Sequence, residues 1–166
     1  MQKMQQQNLE KQFEKVVVNV GIGRMRQQTQ FEEKIMPEIM RELAIITGQK
    51  PSPRPTKKAI AGFKTRTGDI VGLKITLRRK RMAGFIKKII SIVLPRVRDF
   101  RGISVKNIDA AGNLNIGLKE QYVFPEISPE ISKVNFGLEI TIVPKSRSRE
   151  RAIELFRKLG VPLQKK

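Results

Sequence analysis

Hydrophobic and polar residues alternate in four short stretches of this chain. Across residues 13–20 (FEKVVVNV), Val16, Val18 and Val20 fall on one side and Lys15, Val17 and Asn19 on the other, the two-residue period of a strand with one face in a core. Residues 73–78 repeat it, with Leu73, Ile75 and Leu77 opposite Lys74, Thr76 and Arg78. Residues 113–118 and 137–143 alternate likewise, and residues 121–124 are a candidate for a further short strand.

Elsewhere the apolar spacing lengthens to three and four, the period of an amphipathic helix. Phe31, Ile35, Met36, Ile39, Leu43 and Ile46 predict a helix within residues 28–47 that ends at Gly48. Pro37 interrupts that pattern and either opens the helix or kinks it. Met82, Phe85, Ile86, Ile89, Ile90 and Val93 predict a core helix over residues 82–94 that Pro95 stops. Ser148 is placed to cap a last helix, residues 149–159, with Gly160 and Pro162 beyond it.

The intervening segments carry breakers. Residues 49–56 hold Pro51, Pro53 and Pro55 and are expected as an extended connector. Residues 57–72 mix three glycines with basic residues, which predicts a short helix or turn and then a mobile, basic, protruding loop over residues 63–72. Strands and helices without strict alternation point to an α+β fold, a largely antiparallel sheet with helices packed on one face and the other face open. At 166 residues a single domain is expected, led by a Gln-rich tail at residues 1–12.

Charge changes the picture from fold to partner. The net charge is +19, and residues 50–106 contain 17 Lys and Arg against Asp69 and Asp99 alone. A merely solubilising surface would spread its charge over every element. Concentration in the middle third suits a face that meets a phosphate backbone, so a nucleic acid is the expected partner. Cations in this region expected to touch phosphates are Lys50, Arg54, Lys57, Lys58, Arg79, Arg81, Arg96, Arg98 and Arg101. The run 78–81 (RRKR) could also be a nuclear localisation signal or a solvated helix entry, but its place between a polar strand and a core helix favours phosphate contact. In residues 96–101, Val97 and Phe100 would pin the segment and Asp99 would pair with a neighbouring arginine.

The chain has no Cys and no His, which excludes thiol nucleophiles, disulfides, zinc sites and histidine-based catalysis. Three scattered aspartates give poor material for a two-metal nuclease, and no Walker or dinucleotide fingerprint occurs. One Tyr and no Trp leave no RRM-like stacking platform, so the Phe residues are read as core, with Phe63 in the basic loop the exception. No apolar run reaches the length of a membrane span, so no membrane partner is expected. No cofactor, metal or catalytic residue is expected either. Lys15 and Asn19 on one strand and Lys74, Thr76 and Arg78 on another would form one polar patch if those strands are neighbours.

Six segments, in order and over about 130 residues, make the chain resemble a known family: FEKVVVNVGIG (13–23), ELAIITGQKP (42–51), AGFKTRTGDIVGLKITLRRKRM (61–82), LPRVRDFRG (94–102), GNLNIGLKEQYVFPEI (112–127) and GLEITIV (137–143). It is similar to the universal large-subunit ribosomal protein number five of bacterial type, the family that binds 5S ribosomal RNA. The resemblance implies a non-enzymatic protein of the central protuberance that attaches 5S rRNA to the large rRNA, with a cytoplasmic or organellar ribosome as its location. It implies 5S contacts at Lys15, Asn19, Gln49, Thr76 and Arg78, of which Gln49 lies outside the patch read from alternation. It also implies that the basic loop reaches P-site tRNA through Phe63, Lys64, Arg66, Thr67 and Gly68, and that small-subunit ribosomal protein thirteen and neighbouring large-subunit proteins are partners.

Three features depart from the family pattern. The segment before Phe13 is shorter than its usual N-terminal helix, Ala110-Ala111-Gly112-Asn113 replaces a Gly-Arg-Gly-Asn turn, and Pro144-Lys145-Ser146 is expected to end the last strand early. A non-specific nucleic-acid-binding architectural protein is the alternative that charge alone would allow.

Overall fold

The computed structural model describes residues 8–164, with the side chain of Phe63 also outside the described set. Five strands, β1 (Phe13–Gly21), β2 (Ser52–Pro55), β3 (Ile70–Leu77), β4 (Leu114–Leu118) and β5 (Leu138–Pro144), form one antiparallel sheet in the order β2-β3-β1-β5-β4. Among the described residues, three helices of ten residues or more, α1 (Met36–Thr47), α2 (Arg79–Lys88) and α3 (Arg149–Lys158), complete the α+β architecture.

The core lies between one sheet face and the helices. Val16, Val18 and Val20 of β1, Leu73, Ile75 and Leu77 of β3, and Ile140 and Ile142 of β5 are buried with Ile39, Leu43 and Ile46 of α1, Met82, Phe85 and Ile86 of α2, and Phe156 of α3. The Phe13 and Phe156 rings meet at 5.8 Å, joining β1 to α3. Lys88 fastens the end of α1 to α2: its Nζ donates to the Ile46 carbonyl at 2.7 Å and to Glu126 at 2.6 Å, beside the rings of Phe85 and Phe124. Of the tail expected at residues 1–12, residues 8–12 are helical with Leu9 buried, and residues 1–7 lie outside the described residues.

Several local expectations are corrected. The proline-rich connector is a strand: β2 pairs with β3, Ser52 opposite Lys74 and Arg54 opposite Gly72. Proline has no N–H for a ladder, so a strand with Pro53 and Pro55 is confined to a sheet edge, where β2 sits. β3 begins at Ile70, so the last three residues expected as loop belong to the sheet.

Pro37 stands in the first turn of α1, the first of the two places expected for it, whereas Pro95 does not stop the second helix at residue 94, which runs on to Arg96. Each lies two residues beyond a π-helical turn, Phe31–Ile35 before Pro37 and Ile89–Val93 before Pro95. There Met36 N–H bonds to the Phe31 carbonyl and Leu94 N–H to the Ile89 carbonyl, five residues back. A proline in an α-helix clashes with the carbonyl four residues behind it, and widening the preceding turn relieves that clash. The second helix therefore continues from Arg79 through to Arg96.

Residues 121–124 are a 3-10 turn (Gln121–Val123) and not a strand. Its cause is Gln121, fully buried, whose amide donates to the Val134 carbonyl at 2.7 Å and to Glu42 of α1 at 3.2 Å while its Oε1 accepts from Phe136 N–H at 3.1 Å. A side chain satisfying that many buried groups holds the backbone against the core instead of along the sheet. Ser148 precedes α3 as expected, without a side-chain capping bond, and Asp99 has no cation within 4 Å among the described residues.

Candidate nucleic-acid interface

The residues that alternate with the core set form an ordered grid on the open face. β1 pairs with β3 so that Asn19 stands opposite Lys74 and Val17 opposite Thr76. β1 pairs on its other side with β5, placing Asn19 opposite Glu139, Val17 opposite Thr141 and Lys15 opposite Val143. β4 adds Gly117 opposite Glu139 and Asn115 opposite Thr141. One transverse row thus reads Ser52, Lys74, Asn19, Glu139, Gly117, and the next reads Thr76, Val17, Thr141, Asn115.

The two strands carrying the expected patch are therefore neighbours, and Lys15, Asn19, Lys74 and Thr76 are half-buried on one face. Arg78 follows one residue past β3, in extended conformation and exposed. Gln49 joins them through tertiary structure: its Nε2 donates to the Thr76 carbonyl at 3.3 Å, and its Oε1 accepts from Arg81 at 3.4 Å. Its place follows from Gly48, whose φ of 68° ends α1 and turns the chain towards β3.

Chemically the face offers amides, hydroxyls and cations with almost no bulk. Gly21 and Gly117 leave open space where a Cβ would stand, so another molecule can approach the backbone. Thr141 donates to Asn115 Oδ1 at 2.8 Å, which fixes both side chains in advance. Lys15 is shared with Glu14 at 3.1 Å, and that hydrogen bond, then the lysine charge, holds the Glu14 carboxyl below its ordinary range.

Electrostatics differ across the grid. On the β3 side Arg78, Arg79, Lys80 and Arg81 crowd the start of α2, which has no acid in its first turn, so side-chain cations add to the positive end of the helix dipole. On the β5 side Glu139 presents a carboxylate directly across from Asn19. Lys50, Arg54, Lys57, Lys58, Arg79, Arg81, Arg96, Arg98 and Arg101 are all exposed. They are not one cluster. Arg79 and Arg81 lie at the Leu77 end of β3, whereas the helix carries Arg96 back to the far end, where its Nε donates to the Val123 carbonyl at 3.1 Å beyond β4.

The basic loop, residues 56–69, springs from the Gly21 end of the sheet. Lys64, Arg66, Thr67 and Gly68 are exposed around a 3-10 turn, Ala61–Phe63. Its base is clamped. Asp69 accepts from Arg26 at 2.6 Å and from the Arg66 N–H, Gly68 N–H donates to the Thr56 carbonyl, and Ile60 bridges Thr65. The Arg66 N–H foremost, with Arg26, keeps the Asp69 carboxyl below its usual value.

Sequence reasoning missed Ser52, Asn115, Glu139 and Thr141 on this face, and Arg26 beneath the loop. The same alternation marks Asn115, Glu139 and Thr141 once all strands are joined in one sheet, but nothing local pairs Arg26 with Asp69. Among the described residues no group of three or more acids is placed to hold a metal, and no helix is long and apolar enough to cross a membrane.

Comparison with known proteins accounts for both halves of the chain. Residues 9–66 match the family described as ribosomal protein L5, and residues 70–163 match the model of that ribosomal family's C-terminus. The large ribosomal subunit protein uL5 of Chlorobaculum tepidum is 44% identical over 155 residues, covering 93% of this chain and 82% of that protein. The uL5 of Halothermothrix orenii is 47% identical over 151 residues, 90% and 81% of the two chains. The protein named uL5c in Gracilaria tenuistipitata var. liui is 48% identical over 149 residues, 89% and 80%. With two adjoining family matches and relatives aligned over most of both lengths, the chain belongs to the ribosomal protein L5 family and is a structural, non-catalytic protein of the large ribosomal subunit.

Proposed function

We propose that the open sheet face binds 5S rRNA and so helps attach it to the large rRNA in the central protuberance. The observation that carries this reading is the register of β1 on β3, which sets Lys15, Asn19, Lys74 and Thr76 on one face with Gln49 tied to the Thr76 carbonyl and Arg78 at its margin. Amides and hydroxyls there can hydrogen-bond sugar and base edges, while the surrounding cations neutralise phosphates. The exposed cations of loop 56–69 support contact with P-site tRNA by Lys64 and Arg66, with Phe63, Thr67 and Gly68 beside them. The intersubunit bridge to small-subunit ribosomal protein thirteen is proposed on family resemblance alone.

The test is binding of purified protein to 5S rRNA and to an unrelated structured RNA of equal size, titrated across salt. A preference of about 100-fold, or roughly 2.7 kcal/mol, that persists as salt rises supports specific readout. Asn19→Ala and Thr76→Ala should each weaken 5S binding while circular dichroism stays unchanged, and undiminished binding in both removes the sheet face from the interface. Equal affinities for 5S rRNA and duplex DNA that collapse together with salt would favour the alternative, a non-specific architectural protein.

A further inference from the structure

After α3 the chain folds back onto the segment that follows the second helix. Gly160, at φ 87°, makes the reversal: its N–H donates to the Arg157 carbonyl and the Val161 N–H to the Phe156 carbonyl, each at 3.0 Å, the pairing of a Schellman motif with buried Val161 as its apolar anchor. Residues 162–164 then run parallel to Ile103, whose N–H donates to the Pro162 carbonyl at 2.8 Å and whose carbonyl accepts from the Gln164 N–H at 2.9 Å. Only glycine fits where the two segments are closest. Gly102 has a φ of 90°, and a Cβ there would lie 3.0 Å from the Pro162 carbonyl oxygen and 3.3 Å from Gln164 Cγ.

Gln164 adds something that this backbone pairing does not require. Its side chain is exposed, yet Nε2 donates to the carbonyls of both Arg101 at 3.3 Å and Gly102 at 3.2 Å. Residues 98–102 belong to no helix or strand, and among the described residues the hydrogen bonds that reach them from elsewhere in the chain are these two. The turn carries Arg98 and Arg101, both exposed and neither within 4 Å of a carboxylate among the described residues. Nearby arginines are already committed to the fold: Arg96 donates to the Val123 carbonyl and Arg149 to the carbonyls of Ile108 and Val105. Arg96, Arg98 and Lys119 share a groove at the end of β4 with Asp99 and Glu120, and Arg101 and Lys106 are exposed further along the chain, so positive charge is in excess here. β5 and β1 separate this end from Lys74 and Thr76 of β3, so it can meet a different RNA segment.

We propose, on the reading that this protein attaches 5S rRNA to the large rRNA, that Gln164 is a positioning residue which fixes the turn so that Arg98 and Arg101 grip the phosphate backbone of the large rRNA. A guanidinium carried on a fixed turn has less freedom to lose on binding, so Gln164 raises affinity without touching the RNA. Its amide also occupies two carbonyl oxygens that would otherwise repel an approaching phosphate.

The experiment titrates the full-length protein with purified large-subunit rRNA and, separately, with 5S rRNA, across salt. Compared are Gln164→Ala, the pair Arg98→Ala and Arg101→Ala, and all three substitutions together. The arginine pair should lose about tenfold in affinity for large rRNA and flatten its salt dependence by about two counterions. Gln164→Ala should lose about fivefold, as one lost hydrogen bond implies. In the protein already lacking the two arginines it should lose less than about twofold, because a residue that acts through them is not additive with them. Affinity for 5S rRNA and the far-ultraviolet circular dichroism should stay as in the unaltered protein. Unaltered protein that fails to bind large rRNA removes the attachment reading and the proposal together. Binding that the arginine pair leaves unchanged takes the turn out of the interface, and a loss from the pair with none from Gln164→Ala keeps the phosphate contact but overturns the positioning role. An equal loss from Gln164→Ala with and without the arginines would mean that it acts elsewhere, and a matching loss on 5S rRNA would overturn the assignment to the large rRNA.

Discussion

Gln49 and Thr76 are joined by a hydrogen bond of 3.3 Å from the side-chain amide to the strand carbonyl, and the other end of the same amide receives Arg81 at 3.4 Å. A residue just past α1 is thereby held against the end of β3 and the first turn of α2. Gln49→Ala removes both bonds, each worth about 1 kcal/mol. We expect 5S rRNA affinity to fall about fivefold, as one lost hydrogen bond implies, with the far-ultraviolet circular dichroism retained. Filter binding decides it, and an unchanged affinity takes Gln49 out of the interface.

Glu139 stands across from Asn19 and is the carboxylate of the row that runs Ser52, Lys74, Asn19, Glu139, Gly117. It opposes a phosphate brought to that row. Glu139→Lys should raise affinity for any RNA and steepen the logarithmic salt dependence by about one counterion. Salt titrations of the two proteins test this, and parallel slopes would place the RNA away from β5.

The clamp under the basic loop titrates. The Asp69 carboxyl lies below its reference value of 3.8 in the folded protein because the Arg66 N–H and Arg26 stabilise its charge. For a depressed carboxyl the contribution is complete above the unfolded value and is lost as pH falls through the folded one. The Arg66 amide resonance should therefore hold steady at neutral pH and move only below about pH 3.8. Asp69→Asn should abolish that acid step, and a step surviving the substitution would assign it to another group.

Gly112 turns the chain into β4 with a φ of 85°, and a Cβ there would lie 2.9 Å from that of Ala152 and 3.1 Å from the Ser148 carbonyl. Gly112→Ala combines left-handed strain with overpacking against α3, about 2–3 kcal/mol in all. Calorimetry should show a fall in Tm of roughly 5–10 °C. An unaltered Tm would mean that α3 moves freely away from the turn.

Most of the sheet and half of the face were legible because a two-residue period is a local signal. Val16, Val18 and Val20 declare a core face, and Lys15 and Asn19 are then committed to the other side. What alternation cannot give is adjacency, so Glu139 and Thr141 reach the face only through the pairing of β5 with β1. β2 is hidden by its prolines, which signal an extended chain but not the partner that accepts it. The π turns before Pro37 and Pro95 answer a clash that sequence shows only as a break, and Gln121 depends on partners 11 to 79 residues away.

The grid on the open face also has an evolutionary reading. On β1, β3 and β5 its positions directly adjoin core positions in sequence, yet their side chains lie on opposite faces. Exchanging Thr76, Asn19 or Thr141 leaves the packing of Ile75, Val18 and Ile140 untouched, so recognition can drift in step with a changing RNA while the scaffold is inherited intact.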